Sequence, residues 1–316
     1  MPGLSLSGVA AAGIGADFIQ PFRIEGGEVR GRLVRLSEVT REILGRHDYP
    51  RPVAALLAEA LALTAALAAA LKYEGIFTFQ LKGDGPVRLL VADIATGGAL
   101  RGYAQFDAQR LPTSEFGAPR LGVPSLLGKG YLALTVDQGP DTERYQGIVD
   151  LAGETLADCA RHYFERSEQI DTQFRVAASE SRPGEADRTS GWTASALMIQ
   201  RMPPATALDD SWRDSLEDWR RARALAATLS DGELLDPDLP PGDLLLRLFH
   251  EEGVRAYPPQ ALRFGCRCSA ARAEWVVRSI PEEEREGLKI DGRIVVTCEF
   301  CGRAYEFDDA ALAAAP

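Results

Sequence analysis

The sequence predicts an α+β fold in three parts: a core domain over residues 1–202, an acidic helical linker over 203–256 and a small C-terminal module over 257–316. Three observations predict it. Residues 1–202 mix short strand-like runs, joined by turn residues, with helical segments. From residue 203 the composition turns acidic: residues 203–260 carry twelve acidic and six basic side chains, punctuated by Pro203-Pro204, Pro237, Pro240-Pro241 and Pro258-Pro259. Four of the five cysteines then fall in the last part, as two close pairs.

The elements follow in order. Runs 17–24 and 28–36 flank Gly26-Gly27, a hairpin signal, and Ser37 is placed to cap a helix over 38–46. Residues 53–71 read VAALLAEALALTAALAAAL, nineteen residues with one charge, Glu59. A membrane span needs about 20 strongly apolar residues; this run is mostly alanine, with Pro52 at its start and Lys72 at its end, and reads as a core helix. A meander comes next, over 75–82, 87–94 and 100–106, with Asp84-Gly85 as turn chemistry. A strand pair is expected over 130–136 and 144–151, and a helix after Thr155 to about residue 168. A second pair, 171–179 and 192–202, is joined by the polar loop 181–190. In the linker, Leu208, Trp212, Leu216 and Trp219 recur at spacings of 4, 4 and 3, one apolar stripe on a helix. A short helix over 244–250 follows. In the module, a helix over 270–279, a charged turn at 281–286, strands over 293–298 and 304–307, and a closing helix over 308–315 are expected.

Composition narrows the function. The chain has 316 residues, 46% hydrophobic and 26% charged, enough for a sizeable core. A net charge of −11 disfavours binding to phosphate backbones, which needs clustered positive charge. Residues 1–16 lack the basic start of a secretory signal, and five cysteines are too few for a disulfide scaffold, so a reducing cytoplasm is expected.

The cysteines carry the chemistry. FGCRCS places Cys266 and Cys268, and TCEFCG places Cys298 and Cys301: C-x-C, 29 intervening residues, then C-x-x-C. Structural zinc takes four soft ligands in a tetrahedron, with Zn–S about 2.3 Å. The C-x-x-C turn before Gly302 aims two sulfurs at one point, and two thiolates two residues apart in an extended strand can also converge. One zinc ion held by Cys266, Cys268, Cys298 and Cys301 is therefore expected, and it supplies a core that the module's few large apolar residues do not. Two uses of such a site stay open on spacing alone: a closed structural ribbon, or a switch in which oxidation to disulfides expels the metal.

Longer stretches decide between them. FGCRCS followed by TCEFCGRAYEF resembles the C-terminal redox-switch domain of the heat-shock protein 33 family, the redox-regulated bacterial holdase chaperones. GKGYLALTVD at 128–137, RYQGIVDLAGETLADCARHYFERSEQIDTQF at 144–174 and LFHEEGVRAYPPQALRFGCRC at 248–268 match the same family's pattern in the same order. The resemblance covers nearly the whole chain; the first sixteen residues and the 181–190 loop carry it least. It implies a cytoplasmic, ATP-independent chaperone that is no enzyme. It implies that the reduced form binds zinc through all four thiolates and is inactive. Oxidant with unfolding stress then forms Cys266–Cys268 and Cys298–Cys301 disulfides and releases zinc, the linker unfolds, and a homodimer holds unfolding client proteins.

Other features give weaker signals. Cys159 and His162 stand at i, i+3 on a helix, but no third group orients them, and they read as a buried cysteine and a surface histidine. The run 122–130, GVPSLLGKG, lacks the Gly required at Val123 and the Ser or Thr required at Gly130 of a phosphate loop, so it reads as a loop entering a strand. Arg220, Arg221 and Arg223 lie beside Glu217 and Asp218, a solvated helix face. A zinc-ribbon nucleic-acid binder is opposed by the acidity of the chain. A thiol–disulfide oxidoreductase is opposed by the lack of a thioredoxin-like unit around either cysteine pair. No membrane, nucleic-acid or ATP partner is expected.

Overall fold

Alternation of apolar and polar residues builds two sheets from the first 264 residues. In the computed structural model, the described residues are 15–25, 28–112, 121–139, 142–181, 191–202, 211–308 and 312. The expected Gly26-Gly27 turn, Leu208, the side chain of Trp212, nearly all of the 181–190 loop and most of the closing helix lie outside them. Two compact units divide the chain, Met1–Phe264 and Gly265–Pro316.

In the first unit, β1 (Phe18–Ile24) and β2 (Val29–Leu36) form the expected hairpin and lead into α1 (Glu38–Leu44) and α2 (Arg51–Ala68). Then come β3 (Ile76–Gly83), β4 (Val87–Ala95), β5 (Ala99–Phe106), α3 (Val123–Leu127), β6 (Gly130–Asp137) and β7 (Tyr145–Asp150). Next are α4 (Leu156–Tyr163), β8 (Thr172–Ser181) and β9 (Gly191–Arg201). The acidic segment supplies α5 (Ser211–Ala227), α6 (Asp231–Leu235) and α7 (Pro241–Phe249). Three short strands, β10 (Val254–Ala256), β11 (Gln260–Ala261) and β12 (Arg263–Phe264), end the unit. One sheet runs β10-β1-β2-β9-β8 with β11 also on β1; the other runs β12-β5-β4-β3-β6-β7. Every pairing is antiparallel except that of β12 with β5. Residues 257–264, which the sequence places in the C-terminal module, thus pair with β1 and β5.

Helix α2 lies between the sheets and packs on β2, β8 and β9 on one side and β3, β4 and β5 on the other. Among the described residues it is the one helix long and apolar enough to cross a membrane, and most of it is buried inside this unit. Its small alanines let both sheets approach closely, and Leu57, Leu61 and Leu63 are fully buried.

The first sheet is apolar on both faces. Val34 and Leu36 of β2, with Ala194, Ala196 and Met198 of β9, point to the α2 side. Val29 and Leu33, with Leu197 and Ile199, point the other way, where Trp219, Ala222 and Ala226 of α5 and Leu244, Leu245 and Phe249 of α7 cover them. Phe22 of β1 fills the space above Gly31, where an added Cβ would collide with its ring, and stacks on Phe249 with centroids 5.9 Å apart. Two arginines clip the linker's main chain: Arg35 Nη1 donates to the Leu239 carbonyl and Arg175 Nη2 to the Leu229 carbonyl, each at 2.7 Å. Arg35 is buried, and its Nε and Nη2 have no hydrogen-bond partner among the described residues. Desolvation makes such a charge costly to cover. On the outer face of α5, Arg221 pairs with Asp218 and Glu252, and Arg220 with Glu217, as a solvated face requires.

Four local expectations differ. Ser37 does not cap α1 with its side chain; the β1–β2 register, Phe18 opposite Arg35, brings the buried Asp17 carboxylate there instead. It accepts from the backbone N–H of Ser37, Glu38 and Val39 at 2.7, 3.0 and 3.1 Å. The helix after Thr155 forms as expected and opens with a capping box to Asp158, but from Phe164 to Glu168 it widens to a π-helical turn ending at Gln169 with φ 55°. The 122–130 run is a short helix, α3, before β6, and the charged turn at 281–286 is also a helix in its last five residues.

Asp17→Ala strips three N–H groups of their acceptor and is expected to destabilise the chain by about 2–4 kcal/mol, read as a lower Tm. Gly31→Leu displaces the Phe22 ring and with it the Phe249 contact. The emission of buried Trp219 should then shift to the red without any oxidant, while far-ultraviolet circular dichroism keeps its strand signature.

Candidate metal centre

The second unit comprises α8 (Ala270–Ser279), α9 (Glu282–Glu286) and the hairpin β13 (Ile294–Thr297)–β14 (Ala304–Phe307). Ser269 caps α8 by accepting the Arg272 N–H at 3.3 Å, and so fixes the chain direction directly after Cys268. The hairpin turn is CEFCGR. Cys298 N–H donates to the Arg303 carbonyl at 2.9 Å and Gly302 N–H to the Cys298 carbonyl at 2.8 Å. Gly302 takes φ 68°, the left-handed conformation that closes the knuckle and that a side chain resists. Among the described residues, the buried apolar core of this unit is four side chains, Ala273, Val277, Ile294 and Phe307. Trp275, at 71% exposure, and Ile290 point to solvent. A core of that size does not hold a fold of some fifty residues, so a cross-link is needed.

The four sequence-predicted cysteines supply the place for one. Their sulfurs lie within 4.8 Å of one another. Cys266 Sγ is 3.7 Å from Cys298 Sγ, and Cys268 Sγ is 3.4 Å from Cys301 Sγ. A metal about 2.3 Å from four tetrahedral sulfurs would set them about 3.8 Å apart. The donor set and its dimensions therefore fit one metal ion. These two short contacts run between the C-x-C and the C-x-x-C, so the reduced geometry does not itself select pairing of sequence neighbours.

The surroundings tune each sulfur. Burial opposes ionisation of Cys266, but the Cys268 N–H and the neighbouring sulfurs outweigh it and bring its thiol down to about 7. Burial, together with the adjacent sulfurs, pushes Cys301 up to about 12. Cys298 is also raised, by burial first. Four thiols this close cannot all ionise without a cation among them, so metal uptake must release protons. Sequence reasoning did not single out Tyr305, whose hydroxyl donates to Cys268 Sγ at 3.1 Å.

The fifth cysteine differs in kind. Cys159 sits on α4, 1% exposed, and burial raises its thiol to about 11. His162 is half-buried, and the structure draws no hydrogen bond between the two. Such a thiol is inert, whereas the four clustered cysteines are all partly exposed.

A two-unit α+β chain with a four-thiol centre in its smaller unit is a narrow class, and comparison with known proteins places the chain within it. The family model described as Hsp33 protein matches residues 17–308. A 33 kDa chaperonin of Caulobacter vibrioides (strain NA1000 / CB15N) is 44% identical over 299 residues, 94% of this chain and 96% of that one. One of Pseudomonas fluorescens (strain SBW25) is 37% identical over the same length, covering 94% and 92%. The crystal structure of the 33 kDa chaperonin (heat shock protein 33 homolog) of Thermotoga maritima shares the fold, with a TM-score of 0.77, 23% identity, and coverage of 94% and 97%. The chain belongs to the Hsp33 family of chaperones.

Metal affinity should fall as pH drops from 8 to 6, because protons compete for the sulfurs, and a chromophoric chelator titration reads this directly. Alkylation of metal-free folded protein should modify Cys266, Cys268, Cys298 and Cys301 while leaving Cys159 untouched. Cys159→Ser should leave metal content unchanged, whereas Cys298→Ser should lose most of it.

Proposed function

We propose that this chain is a redox-regulated, ATP-independent holdase of the cytoplasm. The observation that carries the reading is a partly exposed four-thiol cluster in a chain whose apolar sheet face is covered by short amphipathic helices. Cys266, Cys268, Cys298 and Cys301 would hold one zinc ion in the reduced form, the metal that soft tetrahedral thiolates favour. Bound there, zinc cross-links the small unit and keeps its thiolates ionised. Residues 257–316 then act as the redox-switch domain, 203–256 as the linker and 1–202 as the chaperone core.

Oxidation works on the thiolates themselves. Two of them give two electrons to one peroxide, and with two protons the products are one disulfide and two waters. Each disulfide removes two anionic donors from the cluster. Cys266–Cys268 and Cys298–Cys301 are the pairs we assign. Sequence neighbours stay close as the small unit loosens, whereas Cys266 and Cys298 are 32 residues apart and drift. A C-x-C disulfide is constrained and easily reduced, as a reversible switch requires.

Unfolding of the linker exposes what it covered. Burying a large apolar side chain contributes only about 1.5–3 kcal/mol, and a helix in a protein draws most of its stability from the packing of its apolar face. Undocking bares Phe22, Val29, Leu33, Leu197 and Ile199, with the inner stripe of α5, as contiguous apolar surface for unfolding proteins and for a second copy of the chain. It also returns the Arg35 guanidinium to water. Recognition by apolar area needs no nucleotide and no catalytic group, so neither ATP nor turnover enters, and acidity turns nucleic acid away.

Peroxide-treated, warmed protein should keep a thermally unfolding client soluble, and reduced protein should leave it to aggregate; equal protection by both would falsify the switch. The same oxidation should shift tryptophan emission to the red. Trp219, 4% exposed, should supply a large share, so Trp219→Phe diminishes the shift, while Trp275→Phe, already in solvent, changes it little.

A further inference from the structure

Tyr305 stands on β14 with its ring against the small unit's core, so packing fixes where its hydroxyl points. That hydroxyl donates to Cys268 Sγ at 3.1 Å, across 37 residues of sequence. The Arg303 guanidinium carries its positive charge close to the Tyr305 hydroxyl, Cys268 and Cys301. The other sulfurs take backbone donors: Cys266 from the Cys268 N–H, Cys298 from Phe300 and Cys301, and Cys301 from Arg303. Cys268 is thus tied to a side chain that a single substitution can remove.

We propose that Tyr305 is a brake on oxidation of the cluster, acting through its hydrogen bond to Cys268. The inference rests on the redox reading above and adds to it a residue that sets the oxidant threshold. Attack on peroxide uses a sulfur lone pair. The S–O bond forms, the O–O bond breaks, and the departing hydroxide takes a proton to become water. A neighbouring thiolate then attacks the sulfenic sulfur, expels the second oxygen as water after protonation, and closes the S–S bond. A donor on Cys268 withdraws the density that starts this sequence, and its bond weakens as the sulfur loses charge. The hydroxyl also occupies one direction of approach. Tyr305 is therefore a positioning residue: it controls the reactivity of Cys268 and does not itself react. Such partners of metal-binding side chains commonly govern how tightly the metal is kept.

The test uses full-length, zinc-loaded protein at a temperature well below unfolding. Peroxide-dependent zinc release, followed with a chromophoric chelator, should be about three- to tenfold faster in Tyr305→Phe than in the parent, as loss of part of a charge-assisted hydrogen bond implies. The thermal melt should be unchanged. Timed alkylation with mass spectrometry gives the readout that mere loosening would not. In the variant, labelling should rise selectively at Cys268; a uniform rise at all four cysteines, or an unchanged release rate, overturns the inference. In the parent protein, Cys268 should label more slowly than Cys266, and equal or faster labelling overturns it even if the variant fails to retain zinc. A parent protein that releases no zinc with peroxide is a different failure: it removes the redox reading itself.

Discussion

A sheet that is apolar on both faces must be covered twice, and the architecture of the larger unit follows from that. The β2 and β9 strands send Val34, Leu36, Ala196 and Met198 one way, and Val29, Leu33, Leu197 and Ile199 the other. The first face meets α2, which a second sheet backs, so it is closed on all sides. The second face meets α5, α6 and α7, which have water behind them. The two coverings bury similar side chains but differ in what holds them. Helix α2 is clamped between two sheets, whereas the outer helices rest on the Phe22–Phe249 stack, a narrow stripe and two arginine contacts to main-chain carbonyls.

Stability is therefore graded across the molecule. Buried charge sharpens the gradient on the outer face, where Arg35 satisfies one nitrogen on the linker and leaves two without a hydrogen-bond partner among the described residues. At the other end of the chain, the small unit has too little apolar core to stand by packing. What it has besides is four sulfurs within 4.8 Å of one another, a set that could hold a metal ion. β10, β11 and β12 lie between these two places in the chain. Cys159 shows the contrast: the same functional group, enclosed on α4, is removed from chemistry by burial alone.

Much of this was legible in the sequence. Period-two alternation marked β1 to β9 to within a residue or two, because nearly every strand has at least one face that must be dry; the edge strand β7, with no buried residue, is the exception. The C-x-C and C-x-x-C spacings located the cluster, because convergence of sulfurs is a local property of a short turn and a short strand. The Asp17 cap was not legible: it depends on cross-strand register, which sets Asp17 beside Ser37 only after β1 and β2 have paired. The Tyr305–Cys268 bond was hidden for a similar reason, since 37 residues separate its partners and the fold of the hairpin against α8 joins them. The π-helical turn after Tyr163 also left no sign in the helical pattern.

The sequence by itself determined strands β1 to β9, the longer helices, the positions of the clustered thiols and, through long matching stretches, the family. Those are consequences of local periodicity, turn chemistry and short-range spacing. Only the tertiary structure decided which covering each face of the first sheet receives, that residues 254–264 return to pair with β1 and β5, and which groups tune each sulfur. Alternation tells that a strand has two faces and whether each is apolar. It carries no information on what lies across from them, because that is settled by contacts between segments far apart in the chain, where the gain from burial is shared and no single stretch records it.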